Sequence, residues 1–557
     1  MAASTLHNIA HFLPEWALAA PLRQALLVPS RSGGSGASAW TGWTFAELDA
    51  ACDRQAHALR RLGVQRGMLT LLMVRPGLPF YALTFALFKI GAVPIFIDPG
   101  MGWLNFMDCV RQSGPEVFLG IPAAHVLRVL FPARFRSVRI KAVLGRLPFP
   151  GARRLGEGSE GVAAAFPTEP VEADAPAAVL FTTGSTGPAK GVAYTHRVFI
   201  TQVELLRREY GIGPGDVDLP CFPLFGLFST ALGATAVIPD MDPSRPAQVD
   251  PRRIVEPILT HGVTYSFGSP SLWGRVGQYC AQSGQRLPSL TRVIMAGAPV
   301  PAAVHETLLE YVLPPGAQTF TPYGATEALP VTTFSGREML DETAAATRVG
   351  AGMCVGRPLP EITLRIIRIF AAPIERWRDD LVVPPGQIGE VVVKGPVVTS
   401  QYHLLPESTR RAKIADGDTV WHRMGDVGYL DEGGRLWFCG RLAHRVQTAH
   451  GTSYSVCCEA IFNAVQGVRR CALVGVGVDR ARQRPVIVIE PEAGSFPASR
   501  CKRAAFTERL LAAGAASALT CGIRDVLFHR AFPVDIRHNA KIRREVLAQW
   551  ASLRLKG

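Results

Sequence analysis

The chain has 557 residues and a mass of 60.1 kDa, too long for one simple core, so several domains or subdomains are implied. Hydrophobic residues at 48% with 19% charged residues exclude a disordered chain. The net charge of +14 permits acidic partners, whether nucleotide, nucleic acid or an anionic membrane surface, but does not choose among them. No motif of a nucleic-acid reader accompanies the charge, so no nucleic acid is expected. The 11 cysteines are odd in number and never spaced C-x-x-C, which argues for a reducing, cytoplasmic setting and against zinc. His7, His11, Pro14 and Glu15 interrupt any apolar core of a leader, so no signal peptide is expected.

In chain order, residues 6–30 read as an opening helical segment, followed by a Ser/Gly-rich turn at 32–38. Thr44 and Glu47 have the spacing of a capping box, predicting a helix from there to about Leu62. Residues 68–74 read as a buried strand, 81–89 as a helix and 91–97 as a second strand. Lys89, Gly91 and Pro94 break the apolar run at 80–97, which reads as helix then strand and not as a membrane span. The alternation predicts an α/β layer architecture with a largely parallel sheet. From 128 to 154 the chain turns basic, with Arg134, Arg136, Arg139, Lys141 and Arg146 among aromatic and apolar residues. Two readings fit: a solvated helix face, which is preferred, and a membrane-facing patch that helps a lipid substrate arrive. Residues 156–176 read as a linker.

A short apolar strand ending at Phe181 then leads into Thr182, Thr183, Gly184, Ser185, Thr186, Gly187, Pro188, Ala189 and Lys190, and a helix begins near His196. Glycines let backbone N–H groups turn toward one point, while the hydroxyls and Lys190 add donors and charge. That is the chemistry of a polyphosphate cradle. It is not a Walker A loop, because Ala189 precedes the lysine and Gly191 follows it.

This order closely resembles the phosphate-binding signature of the acyl-adenylate-forming superfamily, which includes acyl-CoA synthetases, firefly luciferase and peptide-synthetase adenylation domains. Further landmarks follow in the family's order. Gly297, Ala298 and Pro299 resemble the turn on which the family seats adenine. In the family's Tyr-Gly-x-Thr-Glu motif, here Tyr323 to Glu327, the tyrosine stacks near adenine, the threonine (Thr326) binds phosphate and the glutamate (Glu327) holds Mg²⁺. A carboxylate beside a triphosphate is repelled unless a hard cation bridges them. Asp426 matches the aspartate that binds both ribose hydroxyls, and Arg441 matches the arginine that contacts ribose and ends the large domain. Lys541 matches the lysine of the C-terminal loop, although Asn539 and Ala540 replace the family's Ser-Gly. The resemblance implies ATP and Mg²⁺ as cofactors, with Lys541, Glu327 and Thr326 in catalysis. It also implies an α/β fold: a large N-terminal adenylation domain (1–441) of layered sheets and helices, and a small mobile α+β C-terminal domain (442–557).

The segment 221–228 lies where the family builds its acyl pocket, and Gly226 stands where many acyl-CoA synthetases carry a histidine. A roomier pocket is therefore expected, with the alternative that Phe222, Leu224 and Phe228 are core. Ala443, and Ala449-His450 in place of a glycine pair, also depart from the CoA-using members. Phrases at 85–94, 237–243, 436–441, 448–451 and 537–541 most resemble the ATP-dependent β-lactone synthetases of bacterial long-chain olefin biosynthesis. That branch implies a long-chain 2-alkyl-3-hydroxy acid substrate and other olefin-pathway enzymes as partners, while peripheral membrane contact is an expectation that rests on the basic stretch at 128–154. The base for ring closure is unassigned: His450 is a candidate, with an exposed loop histidine as the preferred reading. A fatty acyl-CoA ligase and a nucleotide-binding scaffold are the alternatives.

Overall fold

The computed structural model describes residues 7–30, 39–145, 148–155, 164–182, 188–534 and 542–555. Two seven-stranded sheets of one design form the framework. The first runs Arg153–Arg154, Ile140–Val143, Val117–Gly120, Leu69–Met73, Val93–Phe96, Pro176–Phe181, Gly191–Thr195. The second runs Gln318–Phe320, Arg292–Met295, Tyr265–Gly268, Val217–Asp218, Thr235–Val237, Gln24–Pro29, Trp40–Thr44. In both, neighbours are parallel until the last pair, which is antiparallel. Helices cover these strands, so their sequences are near-continuous apolar runs.

Local chemistry sets the helices. Thr44 Oγ1 accepts from the Glu47 N–H at 3.2 Å, and Glu47 Oε2 accepts from the Thr44 N–H at 2.8 Å, so the capping box opens helix Phe45–Arg61. That helix turns Leu48, Cys52, Ala56 and Leu59 into the core, toward the helix Leu78–Ile90. Every residue from Phe80 to Ile90 is buried, Lys89 included. Each buried Phe or Leu contributes about 1.5–3 kcal/mol. Lys89 is tolerated there because Asp49 and Asp53 of the preceding helix both pair with it.

A third sheet is antiparallel: Met353–Cys354, Leu436–Arg441, Thr419–Leu430, Gly389–Lys394 and Thr363–Ile367, with Lys413–Asp416 also paired to Thr419–Leu430. Beyond Arg441 come a hairpin (Val446–Thr448, Gly451–Ser453), helix Ser455–Asn463 and the three-stranded sheet Val468–Val476, Arg484–Pro491, Asp525–Phe528. Helices Arg500–Ala515 and Arg544–Leu555 complete this α+β part. Among the described residues, no helix is long and apolar enough to cross a membrane.

Three expectations need correction. The opening segment is helical only over Ile9–Ala19, and Gln24–Pro29 is a strand that pairs in parallel with Thr235–Val237. The helix His196–Tyr210 begins where expected, but the residues just before it, Gly191–Thr195, are not loop: they return as a strand antiparallel to Pro176–Phe181. The described part of the 156–176 linker is docked rather than free, with Glu169 paired to Arg60 and Phe166 set edge-on to His57.

Candidate active site

The long strand Thr419–Leu430 and its neighbour Leu436–Arg441 place Asp426 directly opposite Arg441. Arg441 Nη1 donates to Asp426 Oδ1 at 2.7 Å, and Tyr323 Oη donates to Oδ2 at 2.7 Å. Asp426 is buried, and its charge holds the Arg441 guanidinium above its ordinary range. Burial, then the Asp426 charge, pushes the Tyr323 phenol well up, so it stays a donor. A carboxylate has about four acceptor directions, so these two bonds leave places for two ribose hydroxyls.

A second cluster forms around Glu327, in the turn between strands Tyr323–Ala325 and Ala328–Thr333. Tyr402 Oη donates to Glu327 Oε1 at 2.6 Å. The Glu327 carbonyl accepts from both the N–H and the hydroxyl of Thr399, each at 3.0 Å. Beneath Thr399 the buried Lys413 ammonium donates to the Thr399 carbonyl and, at 3.4 Å, to its hydroxyl. Burial brings Lys413 down to about 7, with the Glu327 charge opposing that shift. Tyr194 Oη donates to the Thr326 carbonyl at 2.6 Å, fixing the turn from the other side.

The phosphate loop enters beside this cluster. Strands Pro176–Phe181 and Gly191–Thr195 close its neck, the Thr182 N–H donates to the Lys190 carbonyl at 3.0 Å, and Lys190 Nζ lies 4.9 Å from the Tyr402 ring centroid. The readings of Thr183, Gly184, Ser185, Thr186, Gly187 and Lys541 fall outside the described residues. Ile542 and Arg544, which follow Lys541 in the chain, line the same cavity as Glu327. Arg544 also grips both oxygens of Glu459 at 2.7 Å, pinning the terminal helix to Ser455–Asn463.

Thr182, Lys190, Gly297, Ala298, Pro299, Tyr323, Thr326, Glu327, Asp426 and Arg441 all line one cavity of about 1670 Å³. Its other end is apolar, walled by Leu72, Phe96, Phe222, Leu224, Phe225 and Phe228. It exceeds an ordinary small-molecule pocket, about 300–1,000 Å³, and has room for a nucleotide and a long chain together. Gly297 takes a φ of +92°, which keeps the backbone flat and free of a side chain on the cavity wall. Phe222, Leu224 and Phe228 are half-buried cavity walls, and Leu224 and Phe228 also pack against the main core, so both readings describe them.

Gly226 does not make the pocket roomier. A Cβ there would sit 2.4 Å from Tyr81 Oη, which itself donates to the Pro223 carbonyl at 2.7 Å. The tyrosine fills the space behind the glycine. His450 lies exposed at the tip of the hairpin Val446–Thr448/Gly451–Ser453 and is not among the cavity walls. Tyr402 and Lys413 escaped the sequence reading altogether. They reach Glu327 from more than 70 residues away, and no local spacing announces them.

No group of three or more His, Cys, Asp or Glu able to hold a metal occurs among the described residues. Glu327 offers one hard carboxylate oxygen, the donor type Mg²⁺ takes, so it is the residue that would hold this ion and let it neutralise phosphate charge.

The AMP-binding enzyme family model matches residues 15–403. The olefin beta-lactone synthetase of Stenotrophomonas maltophilia (strain K279a) is 46% identical over 556 residues, 99% of each chain. That of Xanthomonas campestris pv. campestris is 45% identical over 558 residues, 99% of this chain and 98% of its own. Among solved structures, the amide bond synthetase McbA from Marinactinospora thermotolerans superposes with a TM-score of 0.78 at 22% identity, over 98% of this chain and 99% of that one, a likeness of fold. The matched span covers well over half of the chain and holds Thr182, Lys190, Gly297 and Glu327 of the cavity wall: this chain belongs to the AMP-binding enzymes.

Proposed function

We propose that the chain is an ATP-dependent β-lactone synthetase acting on a long-chain 2-alkyl-3-hydroxy acid. The observation that carries the reading is near-full-length similarity, at 45–46% identity, to two olefin beta-lactone synthetases. The cavity supports it by combining charged walls, among them Glu327, Asp426 and Arg441, with apolar and aromatic walls suited to alkyl chains. In the first half-reaction a carboxylate oxygen bonds to the α-phosphorus of ATP and pyrophosphate leaves. In the second, the 3-hydroxyl oxygen bonds to the activated carbonyl carbon, the hydroxyl proton is released and AMP departs, closing a four-membered ring. A well-aligned tethered nucleophile reaches effective molarities of roughly 10⁵ M, far above a free thiol in the cell.

This chain's own residues mainly align and neutralise. Asp426, fixed by Arg441 and Tyr323, takes the ribose hydroxyls, and Gly297 to Pro299 seat the base. Thr182 to Gly187, Lys190 and Thr326 take the phosphates. Glu327, held by Tyr402, would hold Mg²⁺, which supplies charge neutralisation between the phosphates when bound. The division proposed is residues 1–441 as the adenylation domain and 442–557 as the smaller one, whose Lys541 is the residue proposed to act on the reacting carboxylate. The setting is proposed to be cytoplasmic, with other olefin-pathway enzymes as partners.

The test is incubation with Mg·ATP and a 2-alkyl-3-hydroxy acid, with and without CoA, followed by mass spectrometry. The expected product is the acid less one water, irrespective of CoA. An acyl-CoA as the main product overturns the reading in favour of a fatty acyl-CoA ligase.

A further inference from the structure

Helix Trp103–Ser113 and helix Pro122–Leu130, with the 3₁₀ turn Pro132–Phe135 that follows it, meet at one corner of the first sheet. The corner is apolar where it faces solvent. Val126, Val129 and Leu130 recur at the i, i+3, i+4 spacing of one helix face, while Ala124 and His125 face inward. Leu104 is 77% exposed, Leu130 64% and Val129 56%. Trp103 draws the two helices into one patch: its ring stacks on Phe106 at 6.3 Å and lies 5.4 Å from Phe131. Six large apolar side chains, Trp103, Leu104, Val126, Val129, Leu130 and Phe131, are exposed among the described residues and mark an interaction surface.

The charge around them identifies the partner. Between residues 99 and 155 there are nine Lys or Arg and only two acids, Asp108 and Glu116. Asp108 is already paired to Arg134 at 2.6 Å and to Arg111 at 3.7 Å. Arg136, Arg139, Arg153 and Arg154 are exposed. A symmetric second copy would set this positive surface against itself, which disfavours self-association. Aromatic and aliphatic tips on a stretch of chain this rich in exposed guanidinium groups match an anionic bilayer, where the tips enter the acyl boundary and the cations stay at the headgroups.

The position gives the patch a use. Phe96, Ile97 and Pro99 are walls of the large cavity, and Trp103 follows Pro99 by four residues, at most about 14 Å of chain. We propose that this corner docks the enzyme on anionic lipid bilayers, setting the cavity beside the membrane from which a long-chain acid is drawn. Docking by this corner requires no turnover, so it stands or fails separately from the lactone reading.

The experiment is flotation of the full chain with phosphatidylglycerol/phosphatidylethanolamine vesicles and with neutral phosphatidylcholine vesicles, at low and high salt. Wild type is expected to float with the anionic vesicles and to be released by salt. A triple variant, Leu104→Ser, Val129→Ser and Leu130→Ser, is expected to bind at least about tenfold more weakly. A second variant, Arg136→Gln with Arg139→Gln, is expected to lose the preference for anionic over neutral lipid. Both variants change exposed side chains only, and unchanged pyrophosphate release with a short soluble acid serves as the folding control. Failure of wild type to float at low salt, or equal flotation by wild type and both variants, overturns the proposal and leaves the corner to an acidic protein.

Discussion

The hydroxyl of Tyr402 donates to Glu327 across 2.6 Å while the face of the same ring carries the Lys190 ammonium at 4.9 Å. One side chain thus links a carboxylate and a cation that, in the proposed function, serve the same triphosphate. The interaction is local in space and remote in sequence, since strand Gly191–Thr195 lies next to Tyr402 through the Val192–Tyr402 bridge.

Tyr402→Phe keeps the ring and removes the donor. A hydrogen bond to a charged group contributes about 1.5–3 kcal/mol, so adenylation is expected to fall roughly ten- to a hundredfold, with a higher Mg²⁺ requirement. Pyrophosphate release titrated against Mg²⁺ checks this. A curve superimposable on that of the parent would remove Tyr402 from the site.

Asp426→Asn leaves the Arg441 guanidinium without its counter-charge and gives Tyr323 a weaker acceptor. AMP affinity is expected to drop about tenfold or more, because bonds to an ionised acceptor are roughly twice as strong as neutral ones. Tyr323→Phe should cost less, since Arg441 still holds the carboxylate. Calorimetric titration with AMP distinguishes them, and equal affinities for all three proteins would refute the ribose role.

Lys541→Ala is expected to leave ATP binding nearly intact and to slow adenylation on the order of a hundredfold, the cost of one aligned charged donor. The supporting geometry is that Ile542 and Arg544 line the cavity. Parent-like pyrophosphate release by the variant sinks the assignment.

Which features were legible in the sequence follows from how each is built. The capping box at Thr44 and Glu47 is a local contract between residues three apart, so the helix start was readable. Asp426 and Arg441 sit in short motifs that surround their own turns, and both landed on the cavity. Strand Gly191–Thr195 was hidden because its first residues belong to the loop motif, and its pairing depends on a partner strand. Tyr402 and Lys413 were invisible for the same physical reason: tertiary folding, not local spacing, brings them to Glu327.

Gly226 was misread because an absent side chain looks like space. The Tyr81 hydroxyl occupies that space, so Gly226→Ala should overpack the site and cost about 1–3 kcal/mol. A lowered apparent Tm checks the sign. Adding Tyr81→Phe removes the atom nearest the new Cβ, so the double variant should be less destabilised than the sum of the two single changes. Strict additivity would mean that the two side chains do not compete for that volume.

The last expectation concerns pH. Lys413 sits buried beneath Thr399, facing Glu327 and His422, and burial brings its ammonium from the ordinary 10.5 down to about 7. His422 is itself held well below its ordinary value by burial and by the Lys413 charge, so it stays neutral throughout this range. Between about 7 and 10.5 the unfolded chain carries more proton on Lys413 than the folded chain does. Stability from this group therefore rises with pH across that window, and at pH 7 and below most of the burial penalty is present. Lys413→Met removes the titration while keeping a side chain of similar length. Wild type should gain stability relative to this variant as pH rises from neutral toward 9.5, with both apparent unfolding midpoints measured in parallel so that other titrations cancel. The variant also leaves the Thr399 carbonyl and hydroxyl without their ammonium donor, so the support of the Glu327 turn loosens. Its Mg²⁺ dependence should move in the same direction as that of Tyr402→Phe, by a smaller factor, because Lys413 makes its hydrogen bonds to Thr399, which in turn bonds the Glu327 carbonyl, and not to the Glu327 carboxylate. Parallel stability curves for wild type and Lys413→Met would show that the buried amine does not titrate there, and would leave it a purely structural donor.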